Sequence, residues 1–265
     1  MRTIAILNQK GGSGKTTTAV NLAAALGEKK RRVLLIDLDP QGSASSWLGE
    51  KEGSKELLEV FTANKNIADI IRKTSVDGVG LICFSPWLVG VDKILAGEPG
   101  PDVILQRKLA GLQEWDYIFI DCPPNLSLLT INALAAAREV LVPVECHVMA
   151  LNGLAQLLQT IERVKERINS QLHLSGILPC RADLRTRHAQ EVIHKLKERF
   201  GNLVYNVYIR ENVRIAECPS FSQPITQYDT RSAGAEDYRA LAAEIIKQKK
   251  TEDLWHEKQP LATTP

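Results

Sequence analysis

Short apolar runs alternate along this chain with longer segments in which apolar residues recur every three or four positions. Several of the short runs, such as VLLID and YIFID, are apolar almost throughout and rich in β-branched residues. Runs of this kind are typical of strands that are covered on both faces, as in a parallel sheet. The pattern predicts strands over residues 3–7, 33–38, 80–84, 117–120, 140–144, 175–178 and 204–209.

The longer segments have the period of amphipathic or buried helices. They predict helices over residues 15–26, 103–112, 128–137, 151–168, 189–200 and 235–247. Strands that alternate with helices build right-handed βαβ units, so the predicted fold is α/β: a doubly wound, mostly parallel sheet with helices on both faces. In such folds ligands bind beyond the carboxyl ends of the strands.

The composition narrows the class of protein. The chain has 265 residues, of which 44% are hydrophobic and 24% charged, as in an ordinary globular domain. We find no internal linker and predict one domain over residues 1–250, followed by a polar, proline-containing and disordered tail over residues 251–265. No apolar run has the length of a membrane span, and the five cysteines are scattered. We therefore expect a cytoplasmic protein without a disulfide framework or a cysteine-bound metal.

Positive charge is concentrated in one late segment. Residues 1–179 carry 19 Lys and Arg against 19 Asp and Glu, whereas residues 180–215 carry 8 against 4. The remaining residues, 216–265, carry 6 against 8. An anionic partner is therefore expected at residues 180–215.

The sequence GGSGKTT follows the first predicted strand and opens the first predicted helix, which is the setting of a phosphate-binding loop. Glycines let backbone N–H groups surround phosphate oxygens, and the helix N-terminus adds partial positive charge. Lys15 is expected to reach the β- and γ-phosphates, and the Thr16 hydroxyl to bind Mg²⁺. The predicted nucleotide-binding residues are Lys10, Gly11, Gly12, Ser13, Gly14, Lys15, Thr16 and Thr17.

A dinucleotide-binding loop is the alternative interpretation of these glycines. Gly12 and Gly14 begin that fingerprint, and Asp37 lies near the position of a ribose-binding acid. However, Thr17 replaces the third glycine, and the adjacent Lys15 and Thr16 have no function in that motif. We therefore reject this alternative.

Acidic residues end two of the predicted strands. LLIDLDPQG carries Asp37 and Asp39, and YIFIDCPP ends with Asp121 before two prolines. A carboxylate at a strand end beside a phosphate loop can hold Mg²⁺, directly or through water. We predict Thr16, Asp39 and Asp121 as metal-site residues, and Asp39 as the group that orients or deprotonates the attacking water.

The segments KGGSGKTT, DLDPQG and DCPP, in this order and spacing, resemble those of the deviant-Walker-A ATPases of the ParA/Soj partition family, which also includes MinD. Two later segments, VLVPVECHVMALNGL and ENVRIAECPSFSQPITQYD, are similar as well, and the resemblance covers about residues 1–246. It implies a single P-loop ATPase domain that binds ATP and Mg²⁺.

The resemblance also gives a role to Lys10, which stands beside the glycines where a usual loop has no lysine. In that family this lysine reaches across a dimer to the nucleotide of the partner subunit. The implied catalytic residues are therefore Lys10, Lys15 and Asp39. The resemblance implies an ATP-bound homodimer, an ADP-bound monomer, and slow hydrolysis that a ParB-like or cargo-adaptor partner accelerates.

ParA-like dimers contact DNA non-specifically through the region of the basic segment, which implies a cytoplasmic, nucleoid-associated protein that segregates or positions a plasmid, chromosome or protein cargo. The predicted DNA-binding residues are Arg185, Arg187, Lys195, Arg199, Arg210 and Arg214. Two departures from the family pattern remove positive charge: Glu211 replaces a common arginine, and Ser222-Gln223 replaces Gly-Lys.

A MinD-like, ATP-switched membrane protein is the alternative function. MinD-type chains end in a basic amphipathic helix, whereas this one ends in LATTP after an acidic stretch, so we expect no membrane partner. A redox protein similar to the nitrogenase iron protein would need paired cluster-binding cysteines, which the scattered cysteines do not provide.

Overall fold

Seven strands form one sheet in the computed structural model, which describes residues 1–147 and 150–248. The strands are β1 (Arg2–Ile6), β2 (Val33–Asp37), β3 (Ile71–Lys73), β4 (Val79–Ile82), β5 (Tyr117–Asp121), β6 (Glu139–Glu145) and β7 (His173–Cys180). Their order across the sheet is β3-β4-β2-β5-β1-β6-β7. All neighbours are parallel except β3, which is an antiparallel edge strand on β4. The predicted α/β class and mostly parallel sheet are confirmed.

Helices connect the parallel strands, as the long crossover between parallel neighbours requires. They are α1 (Lys15–Glu28), α2 (Ser43–Trp47), α3 (Glu56–Thr62), α4 (Val91–Ile94), α5 (Ile104–Leu109), α6 (Leu128–Ala136), α7 (Ala150–Arg167), α8 (Arg187–Phe200), α9 (Val213–Glu217), α10 (Ile225–Tyr228) and α11 (Ala233–Lys247). Within the described residues, no helix has both the length and the apolarity that crossing a bilayer requires.

Two hydrophobic cores lie on opposite faces of the sheet, because successive side chains of a strand point in opposite directions. In the β1 region, Ala5 and Leu7 join the core formed with α3, α5, α6, α7 and α8. Ile4 and Ile6 join the other core, which includes residues of α1, α2 and α11. Both faces are therefore covered, which explains the almost continuous apolar runs of the central strands.

One predicted strand, residues 204–209, is wrong. Val204 makes one isolated parallel bridge to Ile177 of β7, and a second bridge joins Arg210 and Ala182, which follow the segment and β7. The backbone N–H groups of Asn206 and Val207 donate instead to the carboxylate of Glu244 on α11, at 3.0 and 3.1 Å. Because a side chain takes these donors, the segment cannot continue a regular ladder.

The remaining differences concern short elements. The edge strand β3 was not predicted, since two of its three residues are charged and so short a segment carries little pattern. The six predicted helices are present with ends shifted by up to a few residues. The predicted disordered tail, residues 251–265, lies outside the described residues, and the single domain over 1–250 stays a prediction.

Asn169, between α7 and β7, has a structural role that can be tested. Its buried amide donates to the carbonyl oxygens of Leu134, Ala135 and Ala137, at 3.0, 3.1 and 2.6 Å, where α6 ends. We expect Asn169→Ala to lower the free energy of unfolding by about 2 kcal/mol, because it leaves buried carbonyl groups unpaired. Urea unfolding followed by circular dichroism measures this change. Asn202→Ala, at an exposed position, is the control with an expected change within about 0.5 kcal/mol; equal losses in both variants would contradict the capping role.

Candidate nucleotide-binding site

The glycine loop joins β1, an interior strand of the sheet, to α1, a largely buried helix. β1 lies between β5 and β6, and α1 begins at Lys15, so the loop sits at the carboxyl edge of the sheet. Gly12 and Gly14 have φ angles of 73° and 93°, a left-handed conformation that side chains with a Cβ rarely adopt. Gly14 caps α1, and its carbonyl oxygen accepts a hydrogen bond of 2.8 Å from the Thr18 N–H.

The loop has the properties of a phosphate cradle. A Cβ atom added to Gly11 or Gly12 would meet no other atom within 4 Å, so the space around both backbones is open. The Ser13 hydroxyl is buried and has no hydrogen-bond partner among the residues the structure describes. Together with the N-terminus of α1, these groups fit the oxygens of a phosphate chain.

Lys15 is buried beneath this loop, with 8% of its surface exposed. Its ammonium group makes one hydrogen bond within the described part of the chain, of 3.4 Å, to the Lys10 carbonyl oxygen. Burial lowers the pKa of Lys15, while the nearby carboxylates of Asp121 and Asp39 act in the opposite direction. A buried cation with so few partners is suited to bind an anion.

Two acidic residues meet at the ends of neighbouring strands. Asp37 of β2 pairs in register with Asp121 of β5, and both are fully buried. One oxygen of Asp37 accepts hydrogen bonds of 2.7 Å from the backbone N–H and the hydroxyl of Ser45. Burial raises the pKa of Asp37 to about 7, although these hydrogen bonds oppose the increase. Burial, and then the charge of Asp37, raise the pKa of Asp121 well above its usual range.

The carboxylate oxygens of this acidic pair that accept no hydrogen bond from the described residues fit a magnesium site. Neither carboxylate oxygen of Asp121 has a hydrogen-bond partner among the described residues, and the same holds for one oxygen of Asp37. The Thr16 hydroxyl is near enough to Asp121 to lower the pKa of its carboxyl group. No group of three or more His, Cys, Asp or Glu side chains in the described ranges is arranged to hold an ion. Mg²⁺ would thus be shared between Thr16, Asp121 and phosphate oxygens, as is usual for this ion.

Asp39 lies at the rim of the site. It follows β2 and is partly exposed, and its carboxylate accepts a hydrogen bond of 3.0 Å from the Gln41 N–H. Its charge is near enough to raise the pKa of Lys15, and it adds to the upward shift of the Asp121 pKa. Its place at the rim is compatible with a contact to a metal or to an attacking water.

Lys10 lies on the exposed side of the loop, and its side chain extends to Glu145 of β6. Its side chain is 44% exposed, and its ammonium group forms a 2.7 Å ion pair with Glu145 at the end of β6. The other oxygen of Glu145 accepts a hydrogen bond of 3.1 Å from Arg181. The two loop lysines therefore have different surroundings: Lys15 faces the buried acids, and Lys10 faces the surface.

The predicted DNA-binding residues fall into two groups. Arg187, Lys195 and Arg199 are exposed on α8, whose buried side is formed by Ala189, Val192 and Leu196. Arg185 is 89% exposed just before this helix, where it pairs with Asp183.

The other two arginines are held by acids. Arg214 contacts Glu217 at 2.9 Å and remains exposed. Arg210 makes hydrogen bonds to both carboxylate oxygens of Asp237 and also pairs with Glu236. Its charge is therefore largely neutralised within the protein.

Three residues near the site make contacts that the sequence pattern did not reveal. Asp37 was visible as a strand-end acid, but its contact with Asp121 depends on strand order. Asn21 was marked only by being a polar residue within the alanine-rich α1; it donates to the Thr17 carbonyl and accepts from the Ile225 N–H. Nothing in the sequence around Glu145 indicated that it contacts Lys10, because that contact depends on the position of β6 beside the loop.

The chain is similar to known proteins over most of its length. A family model described as an AAA domain matches residues 1–174. The sporulation initiation inhibitor protein Soj of Bacillus subtilis is 44% identical over 245 residues, which make up 91% of this chain and 97% of that protein. The chromosome partitioning protein ParA of Myxococcus xanthus is 43% identical over 250 residues, 93% of this chain and 88% of that protein.

A solved structure is similar over nearly the whole length. It is the cobyrinic acid a,c-diamide synthase of Mycobacterium smegmatis with a bound ATP analog and magnesium, with a TM-score of 0.82 and 34% identity. The match covers 93% of this chain and 94% of that one. That protein therefore binds an adenine nucleotide and magnesium on the fold described above.

The buried acids should make stability depend on pH. Because the folded state raises the pKa of Asp37 to about 7, this residue retains a proton that the unfolded chain has released, and its contribution to stability falls as pH rises from about 4 to about 7. Asp37→Asn should flatten this decline by up to about 1.4 kcal/mol per pH unit. Urea unfolding of the nucleotide- and Mg²⁺-free protein across this range provides the test. Asp183→Asn, at the surface, is the control that should not flatten the decline, and an unchanged slope in Asp37→Asn would contradict the assignment.

Proposed function

The chain belongs to the ParA/Soj family of partition ATPases, and on that premise we propose that it is a Mg²⁺-dependent ATPase whose ATP-bound dimer binds DNA without sequence preference. Its task is to segregate or position a plasmid, a chromosome or a protein cargo. Hydrolysis returns the dimer to monomers, and a ParB-like or cargo-adaptor protein accelerates that step. The protein then acts on the nucleoid.

The different surroundings of the two loop lysines carry this proposal. Lys15 is buried and is close enough to Asp121 for that carboxylate to raise its pKa, and the space around the Gly11 and Gly12 backbones is open. Lys10 is on the exposed side of the same loop, from which its flexible side chain can reach a second subunit. A nucleoside triphosphate carries more negative charge than one ammonium group and one Mg²⁺ neutralise. A second cation from the partner, in an interface without water, supplies the rest.

The remaining residues of the site divide the chemistry. When bound, Mg²⁺ would neutralise negative charge on the phosphate oxygens. Thr16 and Asp121 would hold that ion, and the backbone N–H groups of Gly11 to Gly14 would orient the phosphates. Asp39, at the rim, orients the attacking water or accepts its proton. Only a triphosphate offers a γ-phosphate to the second lysine, so ATP favours the dimer and ADP the monomer.

The exposed side of α8 supports the DNA-binding part of the proposal. Arg187, Lys195 and Arg199 share this side, and Arg214 adds a further exposed guanidinium. Such cations bind phosphates of any sequence and release counterions, so binding is sensitive to salt. Arg210, held by Asp237 and Glu236, contributes less than the exposed residues.

Variants of the two lysines test the ATP-bound dimer. Lys15→Ala should abolish nucleotide binding, because it removes the buried cation of the phosphate cradle. Lys10→Ala should retain measurable ATP binding but lose the dimer, because the cation offered to the partner is absent. Nucleotide affinity is measured with a fluorescent ATP analogue, and mass by light scattering with a non-hydrolysable analogue. A normal dimer in Lys10→Ala would refute the role of this lysine.

The DNA-binding surface is tested by charge reversal. Arg214→Glu and Arg187→Glu should each weaken retention on DNA in ATP, and should lower the slope of log affinity against log salt by about 2, one phosphate contact per subunit of a dimer. Arg31→Glu is the matched control. Arg31 is exposed and lies just before β2, at the amino ends of the parallel strands, whereas the phosphate loop lies at their carboxyl ends. An unchanged affinity and slope in both test variants would remove α8 and Arg214 from the DNA-binding surface.

A further inference from the structure

Glu145 holds the ammonium group of Lys10 within the same subunit. The two groups are 2.7 Å apart, and the second oxygen of Glu145 is occupied by Arg181 at 3.1 Å. Arg181 follows β7 and has a φ angle of 52°, an uncommon conformation for a residue other than glycine. Its guanidinium group also lies 3.7 Å from Glu211. Arg181 thus holds one oxygen of the Glu145 carboxylate, and Lys10 binds the other.

The backbone of Lys10 is fastened to the same strand. The Asn8 side chain donates a hydrogen bond of 2.6 Å to the Pro143 carbonyl oxygen of β6, and its own oxygen accepts a 3.0 Å hydrogen bond from the Lys10 N–H. The hydrogen bond from Lys10, more than any other contact, lowers the pKa of Glu145. Glu145 is therefore ionised at neutral pH whenever Lys10 is bound to it.

We infer that Glu145 is a positioning residue that keeps Lys10 in its own subunit and competes for it with the ATP bound to a second subunit. This inference rests on the dimer proposed above. One ammonium group at this site cannot stay in the 2.7 Å ion pair and also cross to the partner's phosphates, so each subunit must break the pair before the dimer closes. Glu145 thereby sets the protein concentration at which ATP produces dimers, and it leaves nucleotide binding at Lys15 largely unaffected.

The size of the effect follows from the exposure of the pair. A partly exposed ion pair changes an equilibrium constant by about 1.4- to 5.4-fold, and a dimer breaks two such pairs, so the dimer dissociation constant changes by about 2- to 30-fold. Arg181 remains beside Glu145 after Lys10 has left, so that the carboxylate keeps a partner. The competition therefore shifts the monomer–dimer equilibrium moderately toward the monomer.

Glu145→Gln tests the inference, because it keeps the shape of the side chain and removes its charge. With saturating non-hydrolysable ATP analogue, sedimentation velocity should show half-maximal dimer at a protein concentration about 2- to 30-fold lower than for the wild type. Glu211→Gln is the matched control: it removes a charge from the same network but has no contact with Lys10. Its midpoint should equal that of the wild type. Glu145→Ala is a second variant with the same expected direction.

Further measurements separate positioning from other effects. The affinity for the ATP analogue and the thermal unfolding midpoint should stay close to the wild type, since a merely structural role would change these. With ADP, Glu145→Gln should remain monomeric. A dimer of this variant with ADP would overturn the inference, because Glu145 would then act by repelling the second subunit.

Two further outcomes distinguish this inference from the proposed function. If the wild type forms no dimer with the ATP analogue, the proposed function fails and the inference with it. If the wild type dimerises and both Glu145 variants have its midpoint, only the inference fails.

Discussion

The site depends on unlike charges that are held out of water without full compensation. Lys15, Asp37 and Asp121 are buried at the carboxyl ends of adjacent strands, and several of their polar atoms have no partner among the described residues. Such an arrangement costs stability in the empty protein, because burial disfavours the charged form of each group. In the proposed ATP complex, phosphate oxygens and Mg²⁺ would supply the missing partners. The energy that the fold loses in the empty state is thus available as binding energy for the nucleotide.

The sheet makes this arrangement rigid. β2, β5 and β1 are neighbours, so the register of three parallel strands brings Asp37, Asp121 and the glycine loop to one edge. The helix that follows the loop, α1, is buried along most of its length between the sheet and α11. The loop lies at the surface, but the buried elements before and after it, β1 and α1, hold it in place. The backbone N–H groups of the loop therefore need little reorganisation to bind phosphate.

The sequence pattern was sufficient for the parts of this protein that depend on local chemistry. Glycines before a lysine and a threonine, and aspartates at strand ends, are informative because strand and helix boundaries can be recognised around them. The pattern did not reveal contacts that depend on register or on distant segments. The pairing of Asp37 with Asp121, the ion pair of Lys10 with Glu145 and the loss of a strand at residues 204–209 to Glu244 all join segments that are far apart in sequence.

The segment that carries Arg214 is tied to the nucleotide site by two hydrogen bonds. The Ile225 N–H donates to Asn21 of α1 at 2.7 Å, and the Trp47 indole of α2 donates to the Gln223 carbonyl oxygen at 2.8 Å. α1 begins at the phosphate loop, and α2 begins four residues after Asp39. Asn21 and its bond are buried, so a shift of α1 must either carry the segment of Arg214 with it or leave polar groups unpaired. The guanidinium expected to contact DNA is thus mechanically connected to the loop proposed to bind the phosphates.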